Sequence, residues 1–505
     1  MRSIQLDVGA MTFQKRYEHI ASKLRVWALK AQDVKAAFKY AGIYGVVRSI
    51  NSDGIYGDDE LELHVESLVI EQGRIDIQSI AAARGDGVLV LATELYDYGG
   101  HTKIILTWLE LMKDVLRHKL VITRTLTAQT ESELKKLGVK TVKIPSSGLS
   151  AVSAILDSAK GFNRIVMHTH PEDILSTVVA RILAKAGYET IFYNHADHLF
   201  SFGLSAVHTV CEISSYGEEI NLRTSRIKGA AVRLGIPLKK IDLSVLSLPV
   251  NMSFSKTNKI ILSAGNSYKY KPGQAFLFAD FIDELLSRKN NAIVVLVGPT
   301  GQEPWWVKRL ADWGQRVLFL GALPHSEYMK LLKIADLYVD SYPITGGTAF
   351  PEALLAGKSC VGLMSPVQGY SLADELKVAT PEALAQQSEM ILNGDPETMR
   401  HIEKLRRRVI SAQSEVAFKA CILNLYMQKI LTDRRDNKNS QMGLDSYYLE
   451  KSWRSSSIVN IPRKMVLKHL PFYRSFQILF LMTWNNFLTK MRCSGVLYKN
   501  IDELE

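Results

Sequence analysis

The chain reads Asp340-Ser-Tyr-Pro-Ile-Thr-Gly-Gly-Thr-Ala-Phe-Pro-Glu-Ala-Leu-Leu-Ala-Gly357 across the stretch that decides its fold. Residues 335–340 predict a buried strand, and a helix is expected to start near Thr348. A glycine loop lets backbone N–H groups approach an anion, and the helix N-terminus adds partial positive charge. The loop therefore predicts a phosphate site, with Glu352 facing a sugar hydroxyl. An ordinary strand–turn–helix connection is the alternative, because Gly and Thr are common turn and capping residues.

Length and composition predict a folded protein with more than one domain. The 505 residues are 47% hydrophobic and 22% charged, which exceeds one ordinary core and excludes a disordered chain. The net charge of +11 is unevenly spread, since residues 451–493 contain eight Lys and Arg but no Asp or Glu. Such a segment indicates an anionic partner: phospholipid, lipid-linked phosphate or nucleic acid. Nucleic acid fits less well, because no recognised nucleic-acid module accompanies the charge.

The cysteines and the N-terminal residues predict a reducing compartment. The four cysteines are scattered without metal-ligand spacing, which argues against a disulfide framework or a zinc site. The first residues lack an apolar signal region, and no run reaches the ~18 apolar residues that span a bilayer. We therefore expect a cytoplasmic protein. The cysteines are Cys211, Cys360, Cys421 and Cys493.

Hydrophobic periodicity divides the chain into five parts. Residues 1–85 predict a helical leader. Short apolar runs alternate with helical segments over residues 86–245 and again over 258–415, which predicts two doubly wound, Rossmann-like parallel sheets of class α/β. A helix over 416–435 is expected to return to the first domain, and residues 440–505 to form a basic amphipathic extension. Ligands of such folds bind at the carboxyl ends of strands, so we expect the site in the cleft between the domains.

A second loop occupies the corresponding position in the second sheet. The segment Gly265-Asn-Ser-Tyr-Lys-Tyr-Lys-Pro-Gly273 follows the apolar run of residues 259–264. Because the carboxyl ends of parallel strands meet at one edge of the sheet, Lys269 is placed to reach a diphosphate held by residues 345–348. A surface lysine in a polar loop is the alternative.

Several motifs recur in this order in GT-B glycosyltransferases. They are Ser-Tyr-Lys269, Val297-Gly-Pro299, Gly321-Ala-Leu-Pro-His325-Ser-Glu-Tyr328, Ala335-Asp-Leu-Tyr-Val-Asp340 and Gly346-Gly-Thr-Ala-Phe-Pro-Glu352-Ala-Leu-Leu-Ala-Gly357. Their order most resembles the donor domain of O-GlcNAc-transferase-like enzymes, with a secondary resemblance to family 4 enzymes. The architecture resembles GT-B enzymes over residues 87–430, and the motifs occupy residues 258–375.

The resemblance implies a nucleotide-sugar donor and gives each motif a role. The diphosphate would contact a lysine and the glycine loop, the ribose a glutamate, and the base a turn before a helix. No metal or other cofactor is implied. The implied donor-binding residues are Lys269, Leu323, His325, Thr345, Gly346, Gly347, Thr348 and Glu352.

The chain departs from both family patterns. O-GlcNAc transferases have His-Thr-Thr where this chain has Gly347-Thr348-Ala349, and Asp in place of Glu352. Family 4 enzymes have a second Glu eight residues before the ribose-binding one, and that position is Ile344 here. The donor base, the sugar and the choice between retention and inversion therefore stay open.

The first domain has a glycine loop of its own. The segment Glu94-Leu-Tyr-Asp-Tyr-Gly-Gly-His-Thr102 follows the first apolar run of that domain. Gly99 and Gly100 allow a substrate to approach closely, and His101 can hydrogen-bond a phosphate or a sugar. GT-B enzymes resemble this arrangement, with a glycine loop that faces the cleft. A helix start that needs flexible residues is the alternative.

A third segment supplies the candidate catalytic groups. Tyr193-Asn-His-Ala-Asp-His-Leu-Phe200 places His195, Asp197 and His198 at a strand end. A carboxylate beside an imidazole raises its basicity, so these groups fit a general base. A metal site is a rival interpretation that lacks a fourth ligand, and helix capping is another. A similar Asn-His-Ala-Asp-His string occurs in bacterial polysaccharide glycosyltransferases. An inverting enzyme would use these groups as the base, and a retaining enzyme would use them to orient the donor sugar.

His168 and His170 follow another strand and are interpreted as structural or cleft residues.

The resemblance and the basic extension together predict a metal-independent glycosyltransferase. Its acceptor would be a glycan, a lipid-linked polysaccharide or a protein, and a peripheral position on the inner face of a membrane is expected. A helical extension packed on the body is the alternative for the basic segment. A protein O- or N-glycosyltransferase is a second function, and a GT-B-fold sugar-nucleotide epimerase or a non-catalytic assembly partner is a third.

Overall fold

A computed structural model describes most of the chain up to residue 427. The described ranges are 8–50, 54–80, 87–97, 100–144, 147–239, 241, 243–244, 254–272, 276–365 and 367–427, with side chains described from residue 17 onwards. Gly99 and the predicted basic extension over residues 440–505 lie outside these ranges, so both stay predictions.

Three helices precede the first sheet. Ile20, Leu24 and Ala28 form a buried stripe on the first helix, because residues four apart share one helix face. Asp58 caps the third helix through its carboxylate, which also binds Arg25 of the first helix at 2.6 Å. These contacts join the helices into one unit. They are α1 Val8–Leu29, α2 Val34–Ile50 and α3 Asp59–Gly73.

The first domain contains a seven-stranded parallel sheet in the order β3-β2-β1-β4-β5-β6-β7. Its central strands are apolar on both faces, as expected of strands that helices cover on both sides. The strands are β1 Gly87–Leu95, β2 Arg117–Leu126, β3 Lys140–Lys143, β4 Arg164–His168, β5 Glu189–Asn194, β6 Thr209–Glu212 and β7 Ala230–Arg233. The helices are α4 Gly100–Met112, α5 Ala128–Lys136, α6 Leu149–Ala159, α7 Ile174–Lys185 and α8 Ser215–Thr224.

The second domain contains a six-stranded parallel sheet in the order β10-β9-β8-β11-β12-β13. The predicted α/β class with two parallel sheets is therefore confirmed. The strands are β8 Lys259–Ala264, β9 Ala292–Val297, β10 Val317–Phe319, β11 Leu337–Val339, β12 Ser359–Leu363 and β13 Lys377–Val378. The helices are α9 Phe278–Arg288, α10 Pro304–Val307, α11 Leu310–Trp313, α12 His325–Ile334, α13 Ala349–Leu355, α14 Pro381–Leu392 and α15 Pro396–Gln413.

The last described helix, α16 Glu415–Tyr426, lies against the first domain. Its Phe418 packs on Trp108 of α4, with ring centroids 5.8 Å apart. The indole Nε1 of Trp108 donates to the hydroxyl of Tyr426 at 3.0 Å, and Arg164 donates to the Tyr426 carbonyl at 2.9 Å. The chain thus returns to its first sheet after completing the second.

The helical leader is fastened to the first domain by a buried charge cluster. Arg181 on α7 donates to Glu66 at 3.1 Å and to Glu62 and Asp59 at 3.0 Å. The side chains of Glu62 and Glu66 are each 1% exposed. Buried charges persist only when they are paired, so this cluster fixes α3 against α7.

Each sheet has a switch point at which the strand order reverses. In the first sheet β1 lies between β2 and β4, and in the second β8 lies between β9 and β11. Crevices outside the carboxyl ends of such strands are where ligands of doubly wound folds bind. His101 and His170 follow β1 and β4, whereas Lys269 and Asp340 follow β8 and β11. Of the predicted site residues, His101 and Lys269 therefore lie at the two switch points.

Within the described ranges, no helix combines the length and the apolar character needed to cross a membrane.

Candidate active site

Asp340, the residue after β11, organises the glycine loop. Its Oδ1 accepts hydrogen bonds from the backbone N–H groups of Ser341 and Gly346, the latter at 2.8 Å. Its Oδ2 accepts from the Thr345 hydroxyl and lies 3.0 Å from Nζ of Lys377. Lys377 also donates to Thr345 Oγ1 at 2.5 Å. A buried ion pair therefore fixes the loop from the side of the sheet.

Three consecutive backbone N–H groups follow the part of the loop that Asp340 holds. Among the described residues, the N–H groups of Gly347, Thr348 and Ala349 meet no hydrogen-bond acceptor. Gly346 departs from the predicted role, because Asp340 already accepts its N–H. A Cβ at Gly346 would lie 2.9 Å from Asp340 Oδ1, so this contact requires glycine. Successive unbonded amides form a concavity that suits an anion.

Lys269 reaches the same loop from β8, as its position at a neighbouring strand end predicts. Its Nζ donates to the Thr345 carbonyl at 3.0 Å, and its own carbonyl accepts from Ile344 N–H at 3.2 Å. Burial lowers the pKa of Lys269, and the positive charge of Lys377 lowers it further, while Asp340 opposes both. An added anion would compensate the buried charge of this lysine.

Glu352 lies on α13, within one turn of the unbonded amides. Its side chain is 11% exposed and forms an ion pair with Lys103 of α4. Lys103 belongs to the first domain and Glu352 to the second, so this pair joins the two domains across the cleft. The predicted ribose-binding carboxylate is therefore directed into the cleft.

The turn predicted to meet the nucleotide base lies beside Glu352. Leu323 is half-buried, and His325 is exposed at the start of α12. One turn further along α12 is Tyr328, whose ring lies 6.1 Å from that of His325. Burial raises the pKa of Tyr328, and the charge of Glu352 contributes to the rise. The turn and the carboxylate therefore border the same part of the cleft.

Three histidines from separate strand ends of the first domain converge on the cleft. The His101 ring stacks on that of His195 with centroids 4.1 Å apart, and the His170 ring lies 5.3 Å from His101. His101 Nε2 lies 3.1 Å from the His168 carbonyl oxygen. Burial lowers the pKa of His101 to about 3 and that of His195 well below its usual range, so both rings are neutral at pH 7. Gly100 is exposed beside them, with open space where a Cβ would stand.

Asp197 and His198 differ in their access to the cleft. Asp197 is fully buried and accepts a hydrogen bond from the Ser214 hydroxyl at 2.5 Å. His198 is 25% exposed, and its Nδ1 lies 3.7 Å from Asp197 Oδ1. The Tyr370 hydroxyl of the second domain lies 3.4 Å from the same nitrogen. Asp197 is thus closed off from solvent, whereas His198 keeps part of its imidazole exposed beside the second domain.

Sequence reasoning missed three residues that shape the site. Lys377 ties the glycine loop, Lys103 pairs with Glu352, and Tyr370 bridges the domains to His198. Lys377 and Tyr370 follow segments without a recognised motif. Lys103 directly follows the glycine segment Glu94–Thr102 of the first domain. Its position near the start of α4 could therefore have marked it as a cleft residue.

No protein-family model and no curated protein sequence matches this chain. Solved structures do match it. A glycosyltransferase from Rickettsia africae is 14% identical, with a TM-score of 0.51 over 69% of this chain and 100% of that one. The O-GlcNAc transferase of Thermobaculum terrenum is 14% identical, with a TM-score of 0.51 over 82% of this chain and 84% of that one. HepE of Anabaena, in complex with UDP, is 15% identical, with a TM-score of 0.50 over 68% of this chain and 100% of that one.

These matches define the class of the fold. The matching proteins are GT-B glycosyltransferases, and the chain shares their arrangement of two parallel α/β sheets. The resemblance predicted from the sequence motifs is therefore confirmed at the level of the fold.

Proposed function

We propose that this chain transfers a sugar from a nucleotide-sugar donor to an acceptor hydroxyl. The observation that carries the proposal is that Lys269 contacts the Thr345 carbonyl in the loop that continues into three N–H groups without an acceptor among the described residues, those of Gly347, Thr348 and Ala349. A cation and three successive amide donors at one switch point suit a diphosphate. Glu352, at the cleft side of the same helix, suits the two hydroxyls of a ribose.

The donor side supplies the stabilisation of the leaving group. Cleavage of the bond between sugar and diphosphate leaves negative charge on the diphosphate oxygens. Lys269 and the three amides are fixed in place before the reaction, because the loop is held by Asp340 and Lys377. Preorganised donors of this kind lower the barrier without reorganisation, and they need no metal at the diphosphate.

The acceptor side contains the candidate base. His198 is partly exposed, and its Nδ1 lies 3.7 Å from the Asp197 carboxylate, the pairing of imidazole and carboxylate that suits a general base. In an inverting reaction His198 would take the proton of the acceptor hydroxyl. In a retaining reaction the same imidazole would orient the donor sugar, together with His195 and His101. Gly100 leaves open space beside His101 for a sugar ring.

The acceptor we favour is a lipid-linked or growing bacterial polysaccharide, of the O-antigen or capsule type. The basic residues between 451 and 493 support it, because they suit an anionic membrane on its inner face. UDP is the expected nucleotide, since the HepE structure holds UDP. Deletion of residues 451–505 should reduce sedimentation with anionic liposomes while donor hydrolysis continues. Equal sedimentation would assign the extension a packing role.

Transfer to a protein is the second candidate. The O-GlcNAc transferase match favours it, because that match extends over 82% of this chain. A peptide acceptor that gains a sugar in vitro would decide for it, and a purely glycan or lipid-linked acceptor would decide against it.

A nucleotide-sugar screen tests the proposal. Ligands that bind the native state raise the apparent melting temperature of the protein. The size of this increase should therefore distinguish UDP-sugars from GDP-sugars. The stabilising donor is then incubated with and without an acceptor. Transfer only in the presence of an acceptor supports the proposal. Conversion of the donor to another sugar nucleotide without an acceptor would show an epimerase, and a donor that stays unchanged with and without an acceptor would favour a non-catalytic assembly partner.

A further inference from the structure

Three imidazole side chains in the first domain bring their ring nitrogens together, a convergence that the proposed transfer reaction does not require. One ring nitrogen each from His101, His170 and His195 lies within 4.8 Å of the other two. These residues follow β1, β4 and β5, three adjacent strands of one sheet. Their separation in the sequence hides the cluster, and the parallel strand order creates it.

Backbone hydrogen bonds anchor His170 and His195 just after their strands, and His101 lies in the first turn of α4. His170 N–H donates to the Thr93 hydroxyl oxygen at 2.9 Å, and that hydroxyl donates to the buried Asp173 at 2.6 Å. His195 N–H donates to the Tyr193 carbonyl at 3.1 Å. Fixed backbones of this kind limit the rings to small rotations about their side-chain torsions.

The groups around the three histidines leave one nitrogen of each ring available as a ligand. The contact of His101 Nε2 with the His168 carbonyl places the proton on Nε2 and a lone pair on Nδ1. His195 Nδ1 is buried and has no hydrogen-bond partner among the described residues. Glu94 and Glu172 each place a carboxylate oxygen 3.9 Å from His170 Nδ1. A proton on that nitrogen faces the carboxylates and leaves the lone pair of Nε2 available.

A buried nitrogen without a partner points to a missing ligand, since such groups are costly when left unsatisfied. A transition-metal cation fits three converging ring nitrogens, since metals bind imidazole through the lone pair of a ring nitrogen. The nearby carboxylates would offset its charge.

We propose that His101, His170 and His195 bind one divalent transition-metal ion on the acceptor side of the cleft. Imidazole suits Zn²⁺, Co²⁺, Ni²⁺ and Cu²⁺, whereas Mg²⁺ and Ca²⁺ prefer oxygen ligands. Three histidines leave one coordination position for water or a substrate hydroxyl. Tetrahedral ligands bound at ~2.0–2.1 Å lie about 3.3 Å apart, so the nitrogens would close by at most about 1.5 Å. The site uses none of the residues that are proposed to bind the diphosphate.

Direct metal binding tests the proposal on the full chain without a polyhistidine tag. The protein is stripped with a chelator, dialysed and titrated with Zn²⁺ by calorimetry and with Co²⁺ by visible absorption. We expect one ion per chain, the intense absorption bands of a low-coordinate Co²⁺ site, and no heat with Mg²⁺. Absence of one-to-one binding would overturn the proposal.

Matched variants separate this site from adventitious histidine binding. His170→Ala and His101→Ala should each weaken Zn²⁺ binding by more than the roughly 10–100-fold cost of losing an outer-shell partner. Glu94→Gln should weaken it within that range. His401→Ala, which changes an exposed histidine of α15, should leave it unchanged. Circular dichroism identifies the folded variants. Folded His170 or His101 variants that keep wild-type affinity, or a loss that His401→Ala reproduces, would overturn the assignment.

Discussion

Nζ of Lys377 lies 3.0 Å from Oδ2 of Asp340, and both side chains are withdrawn from solvent, at 0% and 1% exposure. Nearby charges dominate this pair: burial lowers the pKa of Lys377, but Asp374 and Asp340 raise it above the usual range. The same Asp340 holds Gly346 and Thr345. A single buried ion pair therefore connects β13 to the loop expected to bind phosphate.

Lys377→Met should destabilise the protein by about 3–5 kcal/mol, because it leaves the Asp340 carboxylate buried without its cation. Urea unfolding at neutral pH measures the change. The control is Lys259→Met, which removes a lysine that pairs with Asp336 at 3.4 Å while 39% exposed. An exposed pair contributes about 0–1 kcal/mol, so the control should stay near wild type. Equal losses in the two variants would contradict the assigned role of Lys377.

His198→Ala should lower kcat about 10²–10⁴-fold with little change in donor KM, the usual contribution of a general base. Asp197→Asn should lower kcat less, because the imidazole stays in place and only its orientation changes. Steady-state kinetics with the donor identified by the thermal-shift screen measures both variants. Exposed His401→Ala is the control. An unchanged kcat in His198→Ala would remove this residue from the catalytic step.

The buried carboxyl group of Glu62 should make the free energy of unfolding depend on pH. Burial raises its pKa to about 7, although Gly203 N–H and Arg181 act in the opposite direction. Between about pH 4.5 and 7 the folded state therefore binds more protons than the unfolded state. The stabilisation that Glu62 contributes is present below pH 4.5 and is lost as the pH rises to about 7. The loss would amount to about 3 kcal/mol at most.

Urea unfolding across this pH range, in wild type and Glu62→Gln, measures the effect. The stability of wild type relative to the variant should decline as the pH rises, since only wild type can lose the proton. Glu60→Gln is the control, because the Glu60 side chain is 74% exposed. A difference between wild type and Glu62→Gln that does not change with pH would contradict the raised pKa.

The sequence predicted those parts of the fold that depend on local apolar runs. β1, β4, β5, β8 and β9 follow such runs, and all are long and buried. β6, β7 and β13 are not marked by such a run, because each is short and contains a charged residue: Glu212, Arg233 and Lys377. A lysine is expected on the surface, and only pairing with Asp340 and Asp374 allows its burial.

The candidate site was predictable where it depends on the edge of one parallel sheet and not where it depends on how the two domains face each other. Lys269 reaches Thr345 because both follow neighbouring strands, β8 and β11, and a parallel alternation implies that edge. The pairing of Lys103 with Glu352 depends on how the two domains face each other, which no local pattern encodes. Hydrogen bonding also decided which amides are free, so Gly346 could not be separated from Gly347 in advance.

The central claim is that Lys269 and the loop amides bind the diphosphate of a nucleotide sugar. Calorimetric titration with UDP, and with GDP in parallel, of wild type and Lys269→Ala tests it most directly. The variant should bind the nucleotide more weakly by roughly 1–3 kcal/mol, the scale of losing a charged hydrogen-bond partner. Lys308→Ala, at an exposed lysine of the same domain, should bind as wild type does. Unchanged affinity in a folded Lys269→Ala protein would contradict the assignment.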